Sequence, residues 1–190
     1  GMSRYAGFPL GNQLCEILLE SLSKSEKAQI NSSLHLSDLA EEFYRLKGSN
    51  KNALIKILQK AFVDCTPTST EWHDKIASIT HFKTIITTNY DKMFEKSLGP
   101  KGQMIISSSQ IPYIDKNKTN VFKVHGDLSE PGSVIITKSD YNNFFKTESH
   151  NNIFWSVVKE RLSTKSVLFL GYDLEDPNVS VVFEKILETL

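Results

Sequence analysis

Three short strings in this 190-residue chain combine side chains that can orient a polar ligand and move a proton: Thr88-Asn89-Tyr90-Asp91, His125-Gly126-Asp127 and Gly171-Tyr172-Asp173. An Asn amide both donates and accepts, a carboxylate accepts, and a histidine of ordinary pKa, about 6.5, takes a proton near neutrality without a metal. A glycine beside them lets backbone approach a ligand. Each string follows an apolar run, and if those runs are parallel neighbours all three clusters share one edge of a sheet. Open α/β sheets bind ligands in the crevice outside the carboxyl ends of their strands. A hydroxyl-rich, phosphate-bearing molecule such as a nucleotide suits that edge. Each cluster also has a plainer reading. Thr88 to Asp91 matches a capping box that starts the next helix. His125 before a glycine is on its own a turn or core histidine, Gly171 a tight turn, and Asp173 and Asp176 simple caps.

The elements that would carry these clusters follow from periodicity. Phe82 to Thr87 is short and rich in Ile and Thr, which predicts the central strand, buried on both faces, with a helix over Lys92 to Leu98 after it. Gln103 to Ser107 and Asn120 to Val124 read as strands, with a polar loop over Ser109 to Lys118 between them. Ser166 to Gly171 reads as a further buried strand, and Ser133 to Thr137 as a short strand or turn. Helices are expected over Leu10 to Leu22, Leu36 to Leu46 with Ser37 or Asp38 as cap, Asn52 to Val63, and Trp72 to Ile79. Later helices are expected over Ser139 to Phe145, Ile153 to Leu162 and Val179 to Leu190, the last with Pro177 near its first turn. Nothing before Phe82 has strand character. The predicted class is α/β, with a parallel sheet.

Composition excludes several functions. Lys and Arg number 22, as do Asp and Glu, so no net charge draws the chain to nucleic acid or an anionic membrane. No apolar run approaches the roughly 18 to 20 residues of a membrane span, and no secretory signal is present, so a cytoplasmic location is the default expectation. The two cysteines, Cys15 and Cys65, cannot make a four-thiolate zinc site, and no metal is expected. Gly1-Met2 looks like a tag scar before a start methionine.

The strings Thr-Thr-Asn-Tyr-Asp, Lys123-Val124-His125-Gly126-Asp127-Leu128 and Phe169-Leu170-Gly171-Tyr172-Asp173-Leu174-Glu175-Asp176-Pro177-Asn178, in this order and spacing, resemble the bacterial sirtuin-like NAD-hydrolase domains of antiphage defence. The opening Ser3-Arg4-Tyr5-Ala6-Gly7-Phe8-Pro9 looks like the second half of that family's nucleotide loop. The resemblance implies a Rossmann-like parallel sheet with helices on both faces and a helical insert over about 34–79, in one domain that binds NAD across the strand ends. By position, Asn89 would contact the nicotinamide-side ribose and help place a water, Asp91 would lie near the nicotinamide, and His125 would be the base or a ribose hydroxyl partner. Ser3, Gly7, Phe8 and Pro9 would border the phosphates and nicotinamide ribose, Gly171, Tyr172 and Asp173 the adenosine side, and Thr88 and Gly126 complete the ligand-binding set. NAD is then the substrate, and relatives of this kind often assemble or answer to a regulatory partner.

Two departures bear on activity. The four-cysteine zinc module of sirtuin deacylases is absent, which demotes protein deacylation in favour of NAD hydrolysis. The first strand and the Gly-Ala-Gly half of the nucleotide loop are not in the sequence, and that loop supplies backbone N–H groups to the pyrophosphate. The expectation is therefore an NAD glycohydrolase that releases nicotinamide and ADP-ribose, with two alternatives: a catalytically silent module that senses NAD or ADP-ribose, and a structural remnant.

Overall fold

The computed structural model describes residues 1–31, 33–144 and 152–171. After a 3₁₀ turn over Met2–Ala6, the first part of the chain is helical: α1 (Gly11–Glu20), α2 (Lys24–Lys27), α3 (Leu36–Leu46), α4 (Asn52–Phe62) and α5 (Glu71–Ser78). The helices bury Leu14 and Leu18 on α1 and Leu39 and Phe43 on α3, residues of their apolar stripes. On α4 they bury Leu54 and Leu58 of the stripe together with Ile55 and Phe62, while Ile57 and Ala61 of it are only part-buried. Ser37 and Asp38 do not cap α3. The cap position is His35, which makes no side-chain capping bond, and Asp38 stands in the first turn, where it pairs with Lys138. Between α1 and α3, Ser23 and Glu26 form a capping box that starts α2, and Lys47 pairs with Glu26 at 2.6 Å. Lys47 and Ser23 together pull the Glu26 carboxyl down to about 2.

The sheet is parallel, its strands β1 (Thr84–Thr87), β2 (Gly102–Ile105) and β3 (Thr119–Lys123) lying in the order β1-β3-β2. Its centre is β3, buried from Asn120 to Lys123, and not the run at Phe82 to Thr87. Only Thr87 of β1 is buried, because β1 pairs with β3 alone and stands at the edge of the described sheet. The helix α6 (Met93–Leu98) follows β1, and α7 (Lys138–Phe144) and α8 (Asn152–Thr164) follow β3.

The two faces of β3 are covered by different helices, as side-chain alternation requires. Val121 packs with Phe94 and Leu98 of α6 and Ile76 and Ala77 of α5. Phe122 and Val124 pack with Phe154 and Val158 of α8 on the other side. The largest core joins α1, α3 and α4 to Tyr90, Met93, Leu128, Val134 and Ile136, residues that follow the carboxyl ends of β1 and β3. The helical layer thus sits over the sheet edge that carries the polar clusters. Lys51 stitches the two together, donating to Val134 O at 2.6 Å and pairing with Asp140 at 2.7 Å.

Ser133 to Thr137 is a 3₁₀ turn and irregular chain, not a strand, although Val134 and Ile136 are buried. Ser166 to Gly171 is the larger departure. It is not a strand, and Val167, Leu168, Phe169 and Leu170 are exposed by 41, 65, 43 and 43%. Among the described residues no strand forms a ladder with it, so its apolar side chains have no sheet to be buried in. The closing helix predicted over Val179 to Leu190 lies outside the described residues.

Candidate functional site

Adjacent parallel strands bring two of the three clusters to one edge. Thr87 of β1 is the register partner of Lys123 of β3, and Val124 N donates to Thr87 O at 3.0 Å. Asn89 and His125 each stand two residues beyond those partners, on neighbouring strands whose axes are about 4.8 Å apart.

The turn after β1 sends successive side chains to different neighbours. Asn89 N donates to Thr87 Oγ1 at 3.1 Å, while the Asn89 amide Nδ2 donates to Ser3 Oγ at 2.7 Å. Tyr90 is buried in the helical core against Phe62 and donates its hydroxyl to Ile135 O at 2.5 Å. Burial pushes its phenol well above the usual value. Asp91 is buried as well. Its Oδ1 accepts from Met93 N at 3.0 Å, which ties it to the start of α6, while Oδ2 has no hydrogen-bond partner among the described residues. A buried carboxylate oxygen in that condition is an acceptor held in reserve.

The turn after β3 is fixed by charge. Lys123 is 1% exposed and holds Asp127 at 2.5 Å, Glu95 at 2.8 Å and the carbonyl of Asp91 at 3.0 Å. Burial works to lower its ammonium pKa, but Glu95 and Asp127 outweigh it, so the pKa lies above the usual lysine value. Burial likewise opposes ionisation of Asp127, and bonds from Lys123 and Ser129 overcome it and hold the carboxyl below its usual range. One ammonium therefore clamps both turns of the candidate site.

His125 is half-buried. Its ring lies edge-on to Tyr141 of α7, with Nε2 3.4 Å from the tyrosine hydroxyl, and its carbonyl accepts from Ile135 N at 3.0 Å. Gly126 has φ of +80°, and a Cβ there would come within 2.1 Å of Ser133 O. The close approach this glycine permits is to the chain's own Pro131–Ser133 turn.

The remaining predicted residues are more dispersed. Ser3 is buried and accepts from Asn89, so it adjoins the candidate site. Gly7 (φ +88°) ends the first 3₁₀ turn, and Phe8 is a core residue stacked on Phe62 at 6.0 Å. Gly7, Phe8 and Pro9 also line a cleft of about 560 Å³ with Arg4, Glu16 and Lys60, which includes neither Asn89 nor His125. Thr88 is half-buried in the turn after β1. Gly171 has φ of +68° and meets Gly1 and Met2, next to Ser3. Tyr172 and Asp173 lie outside the described residues.

The sequence reading missed His73. It is 1% exposed on α5, packs edge-on against Phe94 at 5.1 Å, and its Nε2 lies 3.3 Å from Ser3 Oγ. The one available signal was a histidine at helical spacing from Ile76 and Ala77, on the face that covers the sheet. Among the described residues no group of three or more His, Cys, Asp or Glu could hold a metal ion, and no helix is long and apolar enough to cross a membrane.

The profile of the SIR2-like domain matches residues 83–190, more than half of the chain and all of the sheet with its strand-end clusters. The chain belongs to the SIR2-like domain family. Within that family it is similar to proteins named NAD(+) hydrolase ThsA. Identity is 30% over 188 residues with the Enterococcus faecium protein, covering 96% of this SIR2-like chain and 37% of that relative. With the Acinetobacter baumannii protein it is 29% over 191 positions, 98% of this chain and 37% of the relative. With the Bacillus cereus protein it is 24% over 176, or 89 and 35%. The chain thus spans little more than a third of the length of these relatives.

Proposed function

We propose that this chain cleaves NAD at the bond between nicotinamide and ribose, releasing nicotinamide and ADP-ribose. The observation that carries the reading is the placement of Asn89 and His125 beyond register-matched ends of adjacent parallel strands, in a chain similar to proteins named NAD(+) hydrolases. Cleavage of a glycosidic bond develops oxocarbenium character at the anomeric carbon, so the site must orient the ribose, hold a water and accept a proton. Water adds to C1′, the C1′–N1 electron pair leaves with nicotinamide as the neutral base, and the water's proton goes to His125. NAD⁺ and water thereby give nicotinamide, ADP-ribose and one proton. Asn89, whose amide nitrogen already serves Ser3, accepts from the water through Oδ1. The unpartnered Asp91 Oδ2 takes a donor such as the nicotinamide carboxamide N–H. Ser3, Thr88, Gly126 and Gly171 border the rest of the dinucleotide, as do Gly7, Phe8 and Pro9 on the side of the cleft they line.

The test is chromatography of NAD incubated with the protein and with Asn89→Ala and His125→Ala. Product from the parent chain is expected to fall by about 100-fold or more in both variants, the scale of a lost general base or positioning group. Unchanged turnover in both refutes the assignment. A rise in melting temperature with NAD but no product from any variant identifies a binding module in place of an enzyme.

A further inference from the structure

We infer that His73 is a positioning residue for Asn89, acting through Ser3. The inference rests on the NAD-cleaving reading above and adds to it a residue from outside the strand-end motifs.

The three side chains form one line of hydrogen bonds that joins α5, the first 3₁₀ turn and the turn after β1. Asn89 Nδ2 donates to Ser3 Oγ at 2.7 Å, which occupies one lone pair and leaves the Ser3 hydroxyl its own proton to give. His73 Nε2 lies 3.3 Å from Ser3 Oγ and accepts that proton when its own hydrogen is on Nδ1. The direction requires His73 to be the neutral imidazole with its hydrogen on Nδ1. The surroundings agree, since burial lowers the His73 pKa from its ordinary value, against the pull of Asp91 and Asp74. Phe94 closes over the ring edge-on at 5.1 Å and fixes its plane.

The consequence is directional. An Asn side chain can present either end of its amide, and the two ends have opposite hydrogen-bonding sense. With His73 accepting, Ser3 must accept from Asn89, so the amide nitrogen points inward and Oδ1 is left for water. Without an acceptor at position 73, the Ser3 hydroxyl is free to donate to Asn89 Oδ1, which turns the amide over and offers an N–H to the water. The bound water is then held in the wrong sense for its proton to leave toward a base.

The experiment compares His73→Phe, which keeps a flat apolar ring and deletes the acceptor, with His73→Gln, which can restore an acceptor near Nε2. NAD cleavage is followed at steady state, and the Asn89 side-chain amide is followed by ¹⁵N NMR, assigned by its loss in Asn89→Ala. The expected result is a kcat lowered about 10- to 100-fold in His73→Phe with KM nearly unchanged, and kcat restored to within about threefold in His73→Gln. Parent-like kcat in His73→Phe overturns the inference and leaves NAD cleavage standing, as does an equal loss in both variants, which marks a purely structural histidine. If the parent chain does not cleave NAD, the proposed function fails and the amide resonance decides the inference alone. A shift and faster solvent exchange in His73→Phe, reversed in His73→Gln, support it, and an unmoved resonance overturns it. Should His73→Phe not fold, His73→Leu deletes the same acceptor, and an Asn89 resonance unmoved in it overturns the inference.

Discussion

Replacing Lys123 by Met tests whether the site's two turns are held by one buried charge. The side chain keeps its length and packing against β3 but leaves Asp127, 3% exposed, and Glu95, part-exposed, without their cation. Removing one partner of a buried ion pair costs about 3 to 5 kcal/mol, because the remaining charge is stranded. Glu95 contributes little of this, since water still reaches it. In a chain of this size each kcal/mol moves the melting temperature by roughly 2 to 4 °C, so Lys123→Met should lower it by about 6 to 20 °C. The assay is thermal unfolding followed by circular dichroism. The double variant Lys123→Met with Asp127→Asn removes the stranded charge and should recover at least half of the loss. The pH dependence follows from the two pKa directions. Lys123 is raised above 10.5 on folding, so its stabilisation is complete below that value and is lost as pH rises through the folded pKa. Asp127 is lowered below 3.8, so its share is present above that value and is lost as pH falls through its folded pKa. The parent protein therefore gains from the pair throughout the neutral range, and Lys123→Met does not. A melting temperature within about 2 °C of the parent at pH 7 would refute the clamp.

Gly126→Ala should destabilise by about 2 kcal/mol or more in denaturant titration, because φ is +80° and the new Cβ would run into Ser133 O. Gly132→Ala, with open space around it, should stay within about 0.5 kcal/mol. Tyr90→Phe deletes the hydroxyl that satisfies Ile135 O and should lower stability by about 1 to 2 kcal/mol, read from the same titration. Because His73 has a folded pKa below 6.5, the unfolded chain binds more protons there, and stability should decline as pH falls from about 6.5 toward the folded value. His73→Phe should flatten that decline, as measured by melting temperature against pH.

The helices and the two strand-end clusters are legible in the sequence because they depend on local pattern. Apolar residues at helical spacing give α1, α3, α4 and α5 almost to the residue, and β-branched runs ending in polar turns give β1 and β3. Which strand is central is not legible. Phe82 to Thr87 and Thr119 to Lys123 are similarly apolar, and only the pairing order among the described strands makes the first an edge and the second the core. Val167 to Leu170 misleads for the same reason, since apolar character announces burial only where a partner strand is present, and none is among the described residues. His73 was out of reach because its partner, Ser3, is 70 positions away in sequence. Charge pairing across elements, as at Lys123, is equally invisible, because a lysine inside a strand looks like a solvent-facing residue until its neighbours are known.

Within one short stretch Thr87, Asn89, Tyr90 and Asp91 are anchored in turn to the sheet ladder, to the first 3₁₀ turn, to the helical core and to α6. The loop therefore works as a gauge of the seam between the layers. Tyr90 is held by Phe62 and Ile135 and Asn89 by Ser3, so a slip of the helical layer over the sheet is expected to move both. The stiffness that matters for chemistry at this edge is that of the seam. Lys51, at the start of α4, ties that seam through Val134 O and Asp140, away from Asn89 and His125.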